Sequence, residues 1–263
     1  MSWTLAITGK GGVGKTTLAA LAVRWLSEQG RRPVLAVDAD PNTNLDALLG
    51  VQVSSAVGTI REEVKQLAQS LSASTGGMDK QRLLELKIQQ SLIETERFDL
   101  LAMGRPEGPG CYCYANNVLG AAVRRLAGSY SAVVLDNEAG LENLSRRIVQ
   151  RVDVLLFVAD CTPRGLTTAR RLYDLAVEMR IDAGALGVVV NRVREPPRDG
   201  PPDNSLDLAQ RLFENSEVAV VGSLPEDAEV GARDAAGESI WTLPVQNPVW
   251  TAAASMFARL APT

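Results

Sequence analysis

Residues 9–17 read Gly-Lys-Gly-Gly-Val-Gly-Lys-Thr-Thr, and they match the spacing G-x-x-x-x-G-K-[ST] of a phosphate-binding loop. The defining positions of that spacing are Gly9, Gly14, Lys15 and Thr16. The apolar run at 3–7 predicts a buried strand before the loop, and residues 17–29 predict a helix after it. A strand, a glycine-rich loop and a helix in this order are the setting in which the spacing indicates a phosphate site.

The chemistry of this loop follows from its glycines and from the helix behind it. Glycine allows the backbone to bend so that successive N–H groups point at one anion. The helix N-terminus adds the positive end of its dipole, and Lys15 adds a full charge for the β- and γ-phosphates. The Thr16 hydroxyl is available to Mg²⁺. We therefore predict a nucleotide site with Mg²⁺, formed by Gly11, Gly12, Val13, Gly14, Lys15, Thr16 and Thr17.

The composition of the chain limits its partners and surroundings. With 27 Lys and Arg against 31 Asp and Glu, the formal net charge is −4, which argues against nucleic acid as a main partner. The chain does not open on a charged segment followed by an apolar stretch, and no apolar run approaches the roughly 20 residues that span a bilayer. We therefore expect no membrane partner and a cytoplasmic protein with reduced thiols. The chain has no histidine, which removes the commonest metal ligand and the usual base at neutral pH.

Short apolar runs alternate with helical stretches along the 263 residues. The runs lack polar alternation, as strands buried on both faces do, and they lie at 33–37, 98–103, 132–135, 154–159, 186–190 and 218–221. Helices are predicted over 118–126 and 166–179, with Thr162 as N-cap and Pro163 as first helical residue of the second. The alternation predicts an α/β fold: one P-loop domain over 1–263 with a doubly wound, mainly parallel sheet. A polar, mostly helical insertion at about 54–97 and a surface loop at 195–203 complete the predicted domain.

Acidic residues follow two of the predicted strands. Asp38 and Asp40 come directly after one strand, and Asp136 ends another. Ligands in such sheets bind beyond the carboxyl ends of the strands, so these carboxylates are expected to face the phosphate loop. These carboxylates would repel the phosphates unless Mg²⁺ lay between them. The alternative, a structural turn after a strand, would need only one acidic residue, and here two follow the same strand. We predict that Asp136 holds Mg²⁺ through water and that the Gly140 N–H contacts the γ-phosphate.

Lys10, directly after the first glycine, is a further feature of the loop. In this respect the sequence resembles the deviant Walker A ATPases, the class of MinD, ParA and the nitrogenase iron protein. The resemblance implies a homodimer that hydrolyses ATP to ADP and phosphate, in which Lys10 reaches the nucleotide of the partner. It also implies that Lys15 and Asp40 share the catalysis, Asp40 by orienting the attacking water, and that Asp38 lies near the magnesium shell. An exposed loop lysine is the plain alternative for Lys10.

The same resemblance implies how the base is bound. Asn191 would hydrogen-bond adenine, and Leu224, Pro225 and Glu226 would cover it. An asparagine that only caps a strand is the alternative for Asn191. The choice of ATP over GTP rests on the resemblance, and no N-K-x-D guanine sequence follows this strand. The role of Glu138 stays open.

Two of the three cysteines, Cys111 and Cys113, follow a loop rich in glycine and proline. On an extended chain, residues two apart project to the same side, so both thiolates would reach one ion. They fill half of a four-coordinate site, and a two-fold dimer would supply the other half. Zinc, an iron–sulfur cluster and Ni²⁺ all suit such ligands, while two unconnected cysteines or a redox couple are alternatives. Cys161 stands alone after a buried strand and is interpreted as a structural thiol.

The residues around this pair resemble the CooC family, the nickel-handling ATPases of carbon monoxide dehydrogenase maturation. The resemblance rests on Met103-Gly104, Gly110-Cys111-Tyr112-Cys113, Asn116 and Leu119-Gly120, together with the lysine-bearing phosphate loop. It implies that Cys111 and Cys113 of two protomers hold one Ni²⁺, for which Zn²⁺ can substitute. It further implies apo carbon monoxide dehydrogenase as the client, with acetyl-CoA synthase as the other nickel client that the family allows.

Two other functions use the same kind of phosphate loop. An iron-protein-like electron donor takes its cysteines from separated loops, one of them just beyond the segment after Asp136, and 137–145 contains no cysteine. A positioning ATPase of the MinD or ParA type needs a basic amphipathic tail or a basic DNA-binding surface. The segment 247–263 has Arg259 as its single charged residue. The sequence therefore favours the metal-handling function.

Overall fold

One sheet runs through the chain in the computed structural model, which describes residues 2–53, 55–57, 86–105, 112–141, 151–194 and 203–262, with 112–117 as backbone only. Within these ranges the strands are β1 (Trp3–Gly9), β2 (Val34–Asp38), β3 (Leu92–Glu94), β4 (Asp99–Ala102), β5 (Ala132–Asp136), β6 (Val152–Asp160), β7 (Ala183–Val193) and β8 (Ala219–Pro225). Their order is β3-β4-β2-β5-β1-β6-β7-β8, and every neighbouring pair is parallel except β3 with β4. The predicted single-domain α/β fold with a mainly parallel sheet is confirmed.

Helices connect the strands. Those described are α1 (Lys15–Glu28), α2 (Leu45–Leu49), α3 (Tyr112–Leu126), α4 (Pro163–Glu178), α5 (Ser205–Phe213), α6 (Ala228–Ala236) and α7 (Pro248–Leu260), with a further helical segment at 86–90. Helix α4 begins as predicted, because the Thr162 side chain accepts a hydrogen bond from the Gly165 N–H at 3.0 Å and Pro163 is the first helical residue. Among the described residues, no helix is long and apolar enough to cross a membrane.

The core consists of two layers, one on each face of the sheet. Successive side chains of a strand point to opposite faces, so Leu5 and Ile7 of β1 enter one layer and Ala6 enters the other. The first layer includes Leu18 of α1 and Phe257 of α7, and the second receives apolar residues of α3, α4 and α5. Because both faces are covered, the central strands are apolar along almost their whole length. Polar side chains are therefore concentrated at the strand ends, where the site lies.

One local prediction is incomplete and another is wrong. Leu92–Glu94 forms the edge strand β3, antiparallel to β4, inside the range predicted as a mostly helical insertion. Helix α3 begins at Tyr112, so Cys113 lies in a helical turn and not on an extended segment. No proline or glycine interrupts the chain between Gly110 and Gly120, which allows the helix predicted over 118–126 to start earlier. Most of the predicted insertion and nearly all of the predicted surface loop lie outside the described residues.

Candidate functional site

The phosphate loop joins β1 to α1 and requires glycine at both ends. A Cβ atom on Gly9 would collide with the carbonyl oxygen of Val158 on the neighbouring strand β6. Gly14 has a φ of 93°, in the left-handed region, and a Cβ atom there would collide with the side-chain amide of Asn191. Gly14 is also the N-cap of α1 and provides no capping side chain. The first N–H groups of α1 are thus left for an anion, as phosphate binding requires.

The two lysines of the loop lie in different surroundings. Lys15 is 7% exposed, and its Nζ donates a hydrogen bond of 3.4 Å to the carbonyl oxygen of Lys10. It lines a cavity of about 520 Å³ together with Gly11, Gly12 and Thr16. The side chain of Lys10 is exposed. Lys15 is therefore placed for phosphates bound in its own subunit, whereas Lys10 is directed away from the buried part of the loop.

Asp136 ends β5 beside Thr16 and is 1% exposed. Burial, followed by the nearby charge of Asp38, raises the pKa of Asp136 to about 8, against the lowering effect of a hydrogen bond with Thr16 and of the Lys15 charge. Among the described residues, Oδ1 of Asp136 has no hydrogen-bond partner. A buried carboxylate oxygen without a partner is satisfied by a cation or by the waters of that cation. Thr16 and Asp136 thus fit Mg²⁺, which supplies positive charge between phosphates and carboxylates when bound.

Asp38 lies beside Asp136, at the paired position in the register of β2 and β5. Its carboxylate accepts hydrogen bonds from the backbone N–H groups of Asp40, Asn44 and Leu45, each at 3.0 Å. Burial raises the pKa of Asp38 to about 6, although these hydrogen bonds lower it. Both of its oxygens are engaged with the loop after β2. Asp38 therefore shapes this loop, and its place near the magnesium shell stays a prediction.

The loop shaped by Asp38 brings Asp40 to the phosphate cavity. Asp40, Asn42 and Asn44 line the same 520 Å³ cavity as the phosphate loop. Oδ1 of Asp40 accepts the N–H of Asn42 at 2.8 Å, and Oδ1 of Asn42 accepts a hydrogen bond from Arg105 at 2.8 Å. The loop that carries Asp40 is thereby connected to the segment that follows β4.

The segment after β5 is tied to β1. The Thr8 hydroxyl donates to the Gly140 carbonyl at 2.5 Å, and the Asn137 side chain donates to the Ile7 carbonyl at 3.0 Å. Gly140 has a φ of 113°, in the left-handed region, and Ala139 lines the phosphate cavity. These bonds hold 137–140 next to the phosphate loop. The contact of the Gly140 N–H with a γ-phosphate remains a prediction.

A second cavity, of about 220 Å³, adjoins the first. The residues predicted to surround the base, Asn191, Leu224, Pro225 and Glu226, all line it. Nδ2 of Asn191 donates to the Val13 carbonyl at 2.8 Å, and its Oδ1 accepts the N–H of the next residue at 2.9 Å. Asn191 therefore fastens the end of β7 to the phosphate loop and also borders the smaller cavity.

Several cavity-lining residues were not found by sequence reasoning. Asn42 and Asn44 follow Asp40 directly, and this proximity was the available signal. Arg192 has a φ of 58°, rare for a residue with a side chain, but nothing in the sequence reveals a φ angle. Asp234 of α6 borders both cavities. It lies nine residues beyond Pro225, the last residue of β8, on a helix without buried residues, so no strand end or periodicity pointed to it.

The cysteine pair is only partly covered by the structure. Cys111 lies outside the described residues, and Cys113 is described by its backbone alone. No group of three or more Cys, Asp or Glu side chains that could hold a metal ion occurs in the described ranges. Cys161 is half-buried, and its pKa is raised by burial and then by the charge of Asp203. The proposed shared metal site therefore stays a prediction from the sequence.

The fold and the loop together define a class of protein. The family model "CobQ/CobB/MinD/ParA nucleotide binding domain" matches residues 4–240, and the chain belongs to this family. It is a P-loop ATPase, as expected from the phosphate loop and the acids at the strand ends.

Individual proteins of known sequence or structure are also similar to this chain. The chain is 44% identical to an ATP-binding protein of Methanocaldococcus jannaschii, covering 94% of this chain and 93% of the relative. It is 29% identical to the carbon monoxide dehydrogenase accessory protein CooC of Rhodospirillum rubrum, covering 98% of each chain. Among solved structures, MinD of Pyrococcus furiosus aligns over 99% of this chain and 100% of its own, with a TM-score of 0.68 at 21% identity. That likeness confirms the fold.

Proposed function

We propose that this ATPase is a homodimeric metallochaperone that binds Ni²⁺ and delivers it to carbon monoxide dehydrogenase. The proposal is supported by the pair Cys111 and Cys113 and by end-to-end similarity to the accessory protein CooC. The cysteine pair is independent of the phosphate loop, which the chain shares with positioning ATPases. Magnesium and ATP belong to the catalytic site, whereas nickel is the cargo.

The observation that carries the proposal is the contact between the catalytic loop and the segment leading to the cysteines. Strands β2 and β4 are neighbours, and the Met103 N–H donates to the Asp38 carbonyl at 2.8 Å just beyond the paired region. One residue past Gly104, Arg105 donates to the Asn42 side chain. Asn42 in turn donates its N–H to Asp40. A change at the γ-phosphate therefore has a short path to the chain that leads to Cys111.

The dimer follows from the same residues. Two thiolates fill half of a four-coordinate site, so Cys111 and Cys113 of the partner subunit would complete it about a two-fold axis. Lys10 is exposed at the phosphate loop, where it is free to reach a nucleotide in the facing subunit. Members of this family commonly form dimers. ATP and nickel would then favour the same closed dimer, and each would raise the affinity for the other.

Hydrolysis would reverse this arrangement. Asp40 orients the attacking water, Lys15 and Lys10 of the partner subunit stabilise charge on the phosphates, and Thr16 and Asp136 hold Mg²⁺. Loss of the γ-phosphate removes contacts that hold the two subunits together. The thiolates then separate from the metal, which passes to the apo-enzyme. This scheme makes nucleotide hydrolysis the release step and not the loading step.

Metal content after anaerobic loading with nickel tests the proposal. The expected result is about half an equivalent of Ni²⁺ per protomer, since two protomers share one ion. Cys111→Ser should abolish the bound nickel, whereas Cys161→Ser serves as a matched control and should retain it. A full equivalent per protomer, or nickel retained in Cys111→Ser, would refute the shared site. Transfer to apo carbon monoxide dehydrogenase, measured as recovered activity, then tests the client.

Two alternatives predict different observations. An iron–sulfur electron donor would be brown after anaerobic purification and would contain iron and acid-labile sulfide, which the nickel protein lacks. A positioning ATPase would sediment with liposomes or DNA. In the structure, the apolar side chains of α7, among them Trp250, Met256 and Phe257, are buried in the core. This helix therefore does not offer its apolar face to a membrane, which favours the metal-handling function.

A further inference from the structure

Asp234 lies where the two cavities of the nucleotide site meet. The larger cavity contains the phosphate loop and the smaller one the residues predicted to surround the base. Both are lined by Gly14, Thr17, Arg192 and Asp234. In a nucleotide the ribose joins the phosphates to the base. Side chains shared by the two cavities therefore face the ribose or the phosphate attached to it.

The helix geometry directs Asp234 to this junction. Asp227, Val230, Gly231 and Asp234 all line the smaller cavity, and their spacing of three and four residues places them on one face of α6. Asp227 is already engaged, since its Oδ1 accepts the Val230 N–H at 2.9 Å and the Asn247 side-chain N–H at 3.2 Å. The Asp234 carboxylate has no hydrogen-bond or ion-pair partner within the described part of the chain. It is the acceptor that this face leaves for a ligand.

The chemistry of the nucleotide indicates which of its groups can donate a hydrogen bond to Asp234. An ionised carboxylate only accepts hydrogen bonds, and it is repelled by phosphates. ATP has donors at the ribose hydroxyls and at the adenine amino group. The amino group lies at the end of the base farthest from the phosphates, whereas Asp234 also borders the phosphate cavity. The ribose hydroxyls are therefore the donors within its reach.

Arg192 provides the opposite charge at the same junction. Its left-handed backbone, with a φ of 58°, is held by the Asn191 side chain, which accepts the Arg192 N–H at 2.9 Å. Within the described ranges, the Arg192 guanidinium has no ion pair. A guanidinium beside the first phosphate offsets the charge of the carboxylate beside the ribose. The junction is thus matched to both groups that meet there in a nucleotide.

We propose that Asp234 recognises the 2′- and 3′-hydroxyls of the ribose and makes this ATPase selective for ribonucleotides. The inference rests on the nucleotide site described above, with phosphates in the larger cavity and base in the smaller one. It concerns which sugar is accepted, and it does not depend on the nickel cargo. A carboxylate–hydroxyl bond is charge-assisted, so its loss is expected to lower affinity by about tenfold.

Calorimetric titration of the full-length protein with ADP and with 2′,3′-dideoxy-ADP, both with Mg²⁺, tests this proposal. We expect the wild-type protein to bind ADP about tenfold more tightly than the dideoxy analogue. Asp234→Ala should bring this ratio close to one while still binding both ligands. Asp207→Ala, an exposed aspartate of α5, is the matched control and should keep the wild-type ratio.

The ratio separates recognition of the sugar from general effects of the substitution. Removing a negative charge alters phosphate binding for both ligands alike, and so does any loss of folded protein, because the phosphates are common to both. Equal wild-type affinities for the two ligands, or an unchanged ratio in Asp234→Ala, would overturn the proposal. If the wild-type protein bound neither ligand, the nucleotide site itself would be refuted, which is a different result.

Discussion

Asp38 and Asp136 occupy paired positions at the ends of β2 and β5, and both carboxylates are almost completely buried, with 0% and 1% exposure. Burial raises their pKa values to about 6 and about 8, and the charge of Asp38 further raises the pKa of Asp136. The Asp38 carboxylate accepts hydrogen bonds from three backbone N–H groups, whereas Oδ1 of Asp136 has no hydrogen-bond partner in the described ranges. The metal-free pair therefore holds a proton that magnesium would displace.

Asp136→Asn should stabilise the metal-free protein and weaken magnesium binding. The folded protein holds the Asp136 proton up to a pKa of about 8, whereas the unfolded chain loses it near its usual pKa of about 4. Between these values the native state binds more protons, so the free energy of unfolding falls as the pH rises. Asn cannot ionise, and the variant should be more stable than wild type at pH 8 by at least about 1 kcal/mol. Urea denaturation in EDTA at pH 6 and pH 8 measures the difference.

Magnesium supplies the control for this prediction. With Mg²⁺ and ADP present, the wild-type protein should recover stability through the ion, and Asp136→Asn should recover much less. If the two proteins lost stability in parallel between pH 6 and pH 8 in EDTA, Asp136 would not be the group that titrates. A variant less stable than wild type at every pH would contradict the prediction outright.

Arg24→Ala should cost about 3 kcal/mol of stability, because it leaves buried groups without partners. The Arg24 side chain is 4% exposed, and its Nη1 donates to the carbonyls of Ile240 at 2.9 Å and Leu243 at 2.8 Å. Its guanidinium also lies 4.1 Å from the centre of the Trp250 ring. Arg24 thus joins the helix of the phosphate loop to the segment after α6. Arg171→Ala, an exposed arginine of α4, should change the urea midpoint very little, and equal losses in both variants would contradict this role.

The parts of the fold that were predictable share one property, a strong local pattern. The apolar run before Gly9 and the acids after β2 and β5 are visible in the sequence, and parallel strands bring their carboxyl ends to one edge. Strand β3 was missed because three partly exposed residues, Leu92–Glu94, carry no periodicity of their own and depend on pairing with β4.

The features that were not predicted depend mainly on contacts between segments that are far apart in the sequence. Asp234 becomes part of the site because α6, which follows β8, borders both cavities, and a local pattern does not reveal this. Arg105 lies 63 residues from Asn42, and only the neighbouring positions of β2 and β4 bring them together. Helix α3 starts at Tyr112, and this early start was not predicted, because a loop rich in glycine and proline before Cys111 suggested an extended chain instead.

Lys10→Ala should lower the rate of ATP hydrolysis by about 10³-fold or more while leaving ATP binding intact, if Lys10 acts across the dimer as an arginine finger does. Lys15→Ala should lose nucleotide affinity, since Lys15 lines the phosphate cavity of its own subunit. Steady-state hydrolysis and equilibrium binding of ATP with Mg²⁺ distinguish the two effects. Equal loss of binding in both variants would place Lys10 in its own subunit's site.

Mixing two inactive variants gives a sharper test of action across the dimer. In a mixed dimer of Lys10→Ala and Asp40→Ala subunits, one site keeps its own Asp40 and receives Lys10 from the partner. Half of the dimers are mixed and each has one complete site, so the mixture should recover about a quarter of the wild-type rate. If Lys10 acted within its own subunit, no complete site would form and the mixture would remain inactive.

Arg105→Ala should uncouple nickel binding from the nucleotide while leaving each ligand's own affinity nearly unchanged. Arg105 contacts the Asn42 side chain at 2.8 Å. In the proposed scheme it binds neither a phosphate nor a thiolate directly. In the wild-type protein, a slowly hydrolysed ATP analogue should raise nickel affinity by about tenfold, a typical coupling between two sites. In Arg105→Ala this factor should approach one, because the side-chain contact between the catalytic loop and the segment that leads to Cys111 is lost. Asn42→Ala removes the other end of the same contact and should have the same effect, and the double variant should lose nothing more.

Equilibrium dialysis with and without the analogue measures the factor in all four proteins, with Arg171→Ala as the control for loss of a positive charge. A tenfold factor that persists in Arg105→Ala would exclude this contact as the path, and additive losses in the double variant would show that the two residues act separately.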